Sequence, residues 1–230
     1  ALKRTLTRYA TYGKMQFADL LTESQLGDAL IIRATCLTSA YLKNNGNGKF
    51  QLNALPIEAQ FAPINGVILS DIDNDNNLDI LATGNSFSPE PLFGLYDACN
   101  GVVLQGDGRG NFKSLSSSGY YVDGDTKAFV TLFRKNEPLF VSAVNNGPVK
   151  VFEHAKKVAA NNKKFFRPLQ NDCFAHVIFP DGTQRKIEFY NGSGYLSQSS
   201  KTLQIPTHAK KISVTTYNSK TRDLNVSEVD

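Results

Sequence analysis

Two glycine-rich turns of nearly the same sequence constrain the fold of this 230-residue chain more than any other feature. Residues 45–50 (Asn-Gly-Asn-Gly-Lys-Phe) match residues 107–112 (Asp-Gly-Arg-Gly-Asn-Phe), and their final phenylalanines are 62 positions apart. An apolar stretch precedes each turn, as in a β-hairpin. A second pair of segments, residues 79–85 and 139–146, has almost the same offset. The sequence therefore predicts an internal repeat of about 60 residues.

A unit of this length is typical of one β-propeller blade. About four short strands form a blade, and residues 86–99 are predicted as an insertion within it. Propellers close with roughly four to eight blades, whereas this chain has room for about two to three. The predicted fold is therefore all-β, a partial β-propeller that is the C-terminal part of a longer one. Phe50 and Phe112 are expected to pack between its blades.

Four segments are predicted along the chain. They are a short N-terminal helical insertion leading into a strand (1–40), the propeller blades (41–153), a basic linker (154–167) and a small C-terminal β domain (168–230).

Local patterns near both ends support these segments. Thr22 and Gln25 have the spacing of the two partners in a helix capping box. Residues 28–41 then become strand-like in their apolar spacing. Near the other end, residues 176–179 and 185–189 alternate around a Pro-Asp-Gly turn, which predicts a hairpin. Further strands are predicted at 202–205 and 211–217.

Composition argues against several classes of protein. A net charge of +4, without a dense Lys/Arg face, argues against nucleic-acid binding. The three histidines are isolated and the three cysteines have no CxxC spacing, so we expect buried free thiols rather than a zinc site or a disulfide framework. No stretch approaches about 18 apolar residues, so no transmembrane segment is predicted. The chain begins Ala-Leu-Lys: either a leader has been removed, or, as the repeat favours, the chain is part of a longer polypeptide.

The segment with the clearest chemistry is the nine-residue stretch 71–79, Asp-Ile-Asp-Asn-Asp-Asn-Asn-Leu-Asp, which we call the acidic loop. Hard oxygen ligands on alternate residues can curl around one Ca²⁺ ion, and carboxylates this close repel one another without a cation. An apolar strand is predicted on each side, unlike the helices that flank an EF-hand. The alternative is a solvated acidic turn. The predicted calcium ligands are Asp71, Asp73, Asp75, Asp79 and the backbone carbonyl of Asn77.

Other motifs do not indicate catalysis. Residues 122–127 have two carboxylates and then lose the calcium pattern, so an ordinary polar turn is predicted there. Residues 106–110 superficially resemble a phosphate loop, but they lack its Lys-Ser/Thr pair and no helix follows, so a hairpin turn is predicted. Nothing marks a nucleophile elbow or a positioned base, and no catalytic or organic-cofactor-binding residue is predicted.

With these residues in place, the sequence resembles the FG-GAP/VCBS repeat family of integrin-α-like propellers. Residues 71–80 and 104–112 carry the resemblance, although the family usually has glycine where this chain has Asn76. Asparagine tolerates left-handed backbone and should keep the turn. Residues 188–200, with the core Gly-Ser-Gly-Tyr-Leu-Ser-Gln, resemble the ASPIC/UnbV domain that follows such propellers. The Phe-Gly-Leu-Gly stretch usual after that motif is absent here, where residues 203–206 are Leu-Gln-Ile-Pro.

The resemblance implies a secreted or cell-surface bacterial protein, often associated with an outer membrane, whose calcium-bearing propeller presents a surface to other molecules. The leading hypothesis is a non-catalytic scaffold that binds another protein or the missing N-terminal blades, with an outer-membrane complex as one setting. The first alternative is a glycan-binding module, in which Phe87, Phe93 and Tyr96 of the insertion offer a stacking platform. The second alternative is a polysaccharide lyase-like enzyme.

Overall fold

The structure is a computed structural model that describes residues 8–27, 29–30, 32–89, 92, 94–154 and 164–229. The chain divides into two compact units, residues 1–37 and 38–230. Among the described residues, no helix has the length and apolar character needed to cross a membrane.

The described part of the first unit contains three helices of four residues each. They are α1 (Tyr9–Tyr12), α2 (Phe17–Leu20) and α3 (Glu23–Leu26). The predicted capping pair is confirmed, because the Thr22 N–H donates to Gln25 Oε1 at 3.0 Å at the start of α3. The strand expected over 28–41 is wrong for most of its length: residues 29–30 and 32–39 form no strand, and the first strand begins at Ala40.

The second unit is built from antiparallel β-sheet, which confirms the all-β prediction. Its described part also contains two short 3-10 helices, Ile57–Gln60 and Val226–Glu228. The strands are β1 (Ala40–Asn44), β2 (Phe50–Ala54), β3 (Ile64–Ser70), β4 (Asp79–Gly84), β5 (Val102–Gly106), β6 (Phe112–Ser114), β7 (Thr126–Arg134), β8 (Glu137–Val144), β9 (Lys150–Glu153), β10 (Lys164–Phe166), β11 (Asp172–Ile178), β12 (Gln184–Glu188), β13 (Leu203–Ile205), β14 (Lys211–Thr216) and β15 (Thr221–Asn225).

Three sheets precede residue 154. Strands β1 and β2 form a hairpin, β3 to β6 form a four-stranded sheet in sequence order, and β7 to β9 form a three-stranded sheet in sequence order. The two glycine-rich turns close equivalent hairpins: the Asn45 N–H donates to the Lys49 carbonyl at 2.9 Å, and the Asp107 N–H to the Asn111 carbonyl at 3.1 Å. The pairs β3–β4 and β7–β8 each have an irregularity near their start, at residues 64–66 and 126–128.

The central strands of the four-stranded sheet β3–β6 are covered on both faces. One face packs Ile80 and Leu104 against Ala59 of the first 3-10 helix, and the other packs Leu81 against Phe129 of β7. Strand β4 is therefore buried at every residue, including its first, Asp79. Burial of this polar end of β4 positions the acidic loop.

In β3 the cover on the first face reaches Ile64 but not Val67 or Leu69. Val67 and Leu69 lie opposite Ala82 and Ile80 in the β3–β4 register, so they share a face with those buried residues. Nevertheless their exposed fractions are 54% and 60%. The part of this sheet face formed by Val67 and Leu69 of the edge strand β3 is therefore exposed, and we call it the open half of the face.

The two turn phenylalanines differ. Phe112 is half-buried, with its ring 5.4 Å from that of Tyr41, whereas Phe50 is 61% exposed. The expected packing of Phe50 is therefore wrong.

The three cysteines are free thiols that differ in burial. Cys99 is buried as expected, Cys173 is half-buried and Cys36 is exposed.

Residues 164–229, which we call the tail module, contain two more sheets around a core of their own. Strand β10 pairs with β13, and the other sheet has the order β12-β11-β14-β15. The predicted hairpin is confirmed as β11–β12, and β13 and β14 lie where strands were expected. Within the predicted linker 154–167, residues 155–163 lie outside the described residues. Its end is a strand, β10, and belongs to the tail module.

The tail module joins the three-stranded sheet at the free edge of β7. The Thr131 N–H donates to Ser199 Oγ at 3.1 Å, and the Ser200 N–H donates to the Thr131 carbonyl at 2.7 Å. The Phe133 and Phe165 rings add an edge contact at 5.6 Å. Ser199 and Ser200, which directly follow the Gly-Ser-Gly-Tyr-Leu-Ser-Gln segment, thus attach the tail module to the sheet.

Candidate metal centre

The acidic loop connects β3 to β4. Ser70 pairs with Asp79 at the open end of that hairpin, so the loop leaves and re-enters one sheet. Asn74 and Asn76 have left-handed φ angles of 65° and 69°. Asparagine adopts this region more readily than most residues, so the turn expected at Asn76 is confirmed.

Asp79 forms the buried base of the loop. Its Oδ2 accepts from the Ile72 N–H and its Oδ1 from the Gly106 N–H, both at 2.9 Å. Its exposed fraction is 0%. Burial raises the pKa of Asp79, and these two backbone bonds partly offset the effect.

Asp71, Asp73 and Asp79 are brought together. One carboxylate oxygen from each lies within 4.8 Å of the others. Oxygens bound to one calcium ion at roughly 2.3–2.6 Å are separated by at most about 5 Å, so this spacing fits a shared ion. Asp71 Oδ2 accepts from the Asn76 N–H at 3.0 Å, whereas Asp71 Oδ1 is buried and has no hydrogen-bond donor. Burial raises the pKa of Asp71, the backbone N–H groups of Asn76 and Asn74 partly offset the rise, and the nearby charges of Asp75 and Asp73 add to it.

The other two predicted ligands bond to each other. The carboxylate of Asp75 is exposed and accepts from the Asn77 N–H at 2.7 Å and the Asn77 Nδ2 at 2.8 Å. These hydrogen bonds lower the pKa of Asp75. Of the four predicted carboxylates, three form the cluster, and the fourth lies against Asn77.

The β5–β6 hairpin supports the loop in a way that the sequence did not predict. Besides the Gly106 bond to Asp79, Gln105 Nε2 donates to Asp73 Oδ2 at 3.1 Å. The backbone of this hairpin lies very close to the acidic loop. A Cβ on Gly106 would lie 2.3 Å from the Leu78 carbonyl oxygen, and one on Gly108 would lie 2.3 Å from Asn77 Oδ1. Residues 106–110 form the predicted hairpin turn, and they also form one wall of the candidate site.

The tail module contacts the other side of the loop. Arg185 Nη2 donates to the Asn76 carbonyl at 3.3 Å, and Thr207 Oγ1 donates to Asn76 Oδ1 at 3.0 Å. Between β3 and the tail module lies a cleft of about 770 Å³, whose walls include Asp71, Arg185 and Tyr195. Neither tail contact could be predicted, because more than 100 residues separate the partners in sequence.

The remaining sequence candidates have ordinary partners or lie outside the described residues. Asp125 pairs with Lys127 at 2.5 Å, and Asp123 pairs with Lys150, as suits a polar turn. Of the aromatic residues in the insertion, Phe87 and Tyr96 are 40% and 48% exposed. Phe93 lies outside the described residues.

No protein-family model matches the sequence, and a search of curated proteins finds no match either. The resemblance to FG-GAP/VCBS and ASPIC/UnbV proteins therefore depends on the motif residues themselves.

Proposed function

We propose that the acidic loop binds one calcium ion and that the chain is a non-catalytic β-propeller scaffold that binds another protein. The observation that carries the calcium site is the buried Oδ1 of Asp71, which has no hydrogen-bond donor and belongs to a carboxylate that clusters with those of Asp73 and Asp79. A buried carboxylate oxygen without a partner is costly, and a cation among three carboxylates would satisfy it.

The donor set favours calcium among the common metal ions. All three clustered ligands are carboxylates, which suit hard cations rather than zinc or copper. Calcium accepts six to eight oxygens in flexible geometry, whereas Mg²⁺ requires a near-ideal octahedron and usually retains several waters. A nine-residue loop that supplies several oxygens from one chain segment fits calcium better than Mg²⁺. Water and the Asn77 carbonyl would complete the shell.

Calorimetric titration of the full chain with Ca²⁺ tests this site. We expect one ion per chain and a rise in melting temperature that a chelator reverses. Asp71→Asn should lower calcium affinity at least about tenfold, since it removes one anionic ligand. The matched control is Asp97→Asn, at an exposed carboxylate in the insertion. Unchanged heats in wild type, or equal affinity in both variants, would reject the site.

Sheet order and spacing support the propeller architecture. The four-stranded sheet β3–β6 has the composition and order of one blade, and the β1–β2 hairpin has the same turn as β5–β6. Strands β7 to β9 would then be three strands of the next blade. By this assignment β1 and β2 are the outer pair of a preceding blade. Its inner pair would cover Val67 and Leu69, the open half of the first sheet face.

The open face supports a binding role. Propeller blades bury their faces against neighbouring blades. The open half of the first sheet face, around Val67 and Leu69, therefore requires either further blades or a partner protein. We place the protein at a bacterial cell surface, as the resemblance implies, with an outer-membrane complex as one setting. Purification of the native protein with its associated chains tests this. Recovery of the protein alone, with no further propeller blades in its own chain, would contradict the scaffold role.

Glycan binding is a second candidate. Phe87 and Tyr96 remain partly exposed, and the Ser86–Tyr96 bridge holds the two ends of the insertion together. Aromatic faces of this kind stack on sugars. Binding on a glycan array that Tyr96→Ala abolishes would favour this role over the protein scaffold.

A further inference from the structure

We propose that Arg185 of the tail module is a tethered counter-cation for the acidic loop, so that calcium binding and the tail's contact with the loop oppose each other. This inference rests on the proposed calcium site. It concerns a residue far from the loop in sequence, which no motif in the chain identifies.

Asn76 is the junction between the two. Its N–H donates to Asp71 Oδ2 at 3.0 Å, and its carbonyl accepts from Arg185 Nη2 at 3.3 Å. Its side-chain oxygen accepts from Thr207 Oγ1 at 3.0 Å. One residue therefore links a calcium ligand to two side chains of the tail module.

The charge of Arg185 is directed at the loop. Burial lowers the pKa of Arg185, and the negative charge of Asp71 raises it. Among the described residues Arg185 forms no direct ion pair. Its other contact is with the Phe179 ring, 5.6 Å from the guanidinium carbon. Because a half-buried guanidinium stays protonated, the acidic loop is the charge that compensates it.

A calcium ion changes the sign of this interaction. With Asp71, Asp73 and Asp79 around a divalent cation, the field at Arg185 becomes less negative, and the two cations repel each other. Arg185 should therefore weaken calcium binding, and calcium should weaken the contact of Arg185 with the loop by the same factor. Thr207 carries no charge and contributes only its hydrogen bond.

The decisive comparison is between Arg185→Gln and Lys186→Gln in the full chain, by calorimetric titration with Ca²⁺. Both remove one positive charge from β12, but Lys186 pairs with Glu188 and lies over the Phe174 ring. We expect Arg185→Gln to tighten calcium binding about three- to tenfold and Lys186→Gln to change it less than twofold. If Arg185→Gln bound calcium with the same affinity as the wild type, or more weakly, the proposal would be overturned. Arg185→Lys keeps the charge and should bind calcium as the wild type does.

A measurement without calcium separates this inference from the calcium site itself. In chelator, Arg185→Gln should lower the melting temperature by a few degrees, and Asp71→Asn should abolish most of that loss in the double variant. If the losses in melting temperature of the two single variants simply added in the double variant, Arg185 and Asp71 would not interact, and the proposal would fail. Failure of the wild type to bind calcium would reject the metal site, and this double-mutant cycle would still decide the counter-charge.

Discussion

At the residue scale, the tail module contains a buried carboxylate, Asp172, with a complete set of partners. Arg222 Nη1 and Nη2 donate to the two oxygens of Asp172 at 2.6 and 2.5 Å, and the Leu169 N–H donates at 2.7 Å. Burial alone would raise the pKa of Asp172, but the bonds and charge of Arg222 and the Leu169 N–H outweigh it, and the pKa is lowered. Asp172 thus contrasts with Asp71, which is left with an unpartnered oxygen.

Asp172→Asn should therefore destabilise the protein. Breaking a buried bidentate pair leaves Arg222 uncompensated, and we expect a loss of about 3 kcal/mol in the free energy of unfolding near pH 7. Because the folded-state pKa is depressed, this stabilisation is present above the unfolded pKa of about 4 and disappears as pH falls through the folded value. Urea unfolding at pH 7 and pH 3 measures both effects. Asp223→Asn, at the exposed pair with Lys211, is the control and should change little. Equal losses in the two variants, or a loss for Asp172→Asn that is as large at pH 3 as at pH 7, would contradict this account.

At the element scale, the β5–β6 hairpin and the acidic loop form one structural unit. Gly106 supplies an N–H to Asp79 and lies too close to Leu78 to carry a side chain. The strand register explains this, because Ile80 pairs with Leu104 and places Gly106 beside the end of the loop.

Gly106→Ala should accordingly disturb the candidate metal centre from outside it. The added Cβ would meet the Leu78 carbonyl oxygen at 2.3 Å, which forces the hairpin away from the loop. We expect a loss of about 2 kcal/mol in stability and weaker calcium binding. Gly27→Ala, where a Cβ would lie 3.6 Å from its nearest neighbour, is the control. A variant with wild-type melting temperature and calcium affinity would show that the hairpin does not hold the loop.

Elements with strong local signals were predictable from the sequence. The β11–β12 hairpin has alternating strands and a Pro-Asp-Gly turn, and the acidic loop has regularly spaced carboxylates between two apolar strands. Strand β15, with the sequence Thr-Arg-Asp-Leu-Asn, has one apolar residue and forms only because β14 pairs with it. Residues 32–39 are the reverse case, since an apolar pattern forms no strand where no described partner strand pairs with it.

The candidate metal centre likewise has a part that the sequence predicts and a part that it does not. The spacing of Asp71, Asp73 and Asp79 identified the cluster, because ligand spacing within one loop is local information. The supports from Gly106 and Arg185 depend on the register between strands and on the packing of the tail module. Neither is encoded in the loop. The separate position of Asp75 follows from its two hydrogen bonds to Asn77, which compete with a place in the cluster.

At the scale of the whole molecule, we expect the half-covered face of the β3–β6 sheet to control whether the chain associates in solution. Large apolar side chains exposed beside a buried sheet face promote association. The chain expressed alone should bind a hydrophobic dye strongly or aggregate. A dye-negative monomer of 25.3 kDa that unfolds cooperatively would contradict the incomplete propeller.

Leu69→Lys tests the open face directly. Leu69 is 60% exposed, so we expect the melting temperature to change by less than about 2 °C while dye binding and self-association fall. Leu81→Lys, at a buried position on the opposite face of the same sheet, should unfold the protein. Static light scattering and dye fluorescence give the measurement. A large loss of stability in Leu69→Lys would show that this face is already covered.

The joint between the tail module and β7 has a mechanical consequence. The tail module has its own core. Its described contacts with the preceding residues include two hydrogen bonds at Thr131 and the Phe133–Phe165 ring contact. Arg167 also donates to Asn136, and Arg185 and Thr207 donate to Asn76. Under tension applied at the C-terminus, a joint of this kind should yield before either core does. The tail module would then separate from the sheet as an intact body, lengthening the molecule while both halves remain folded.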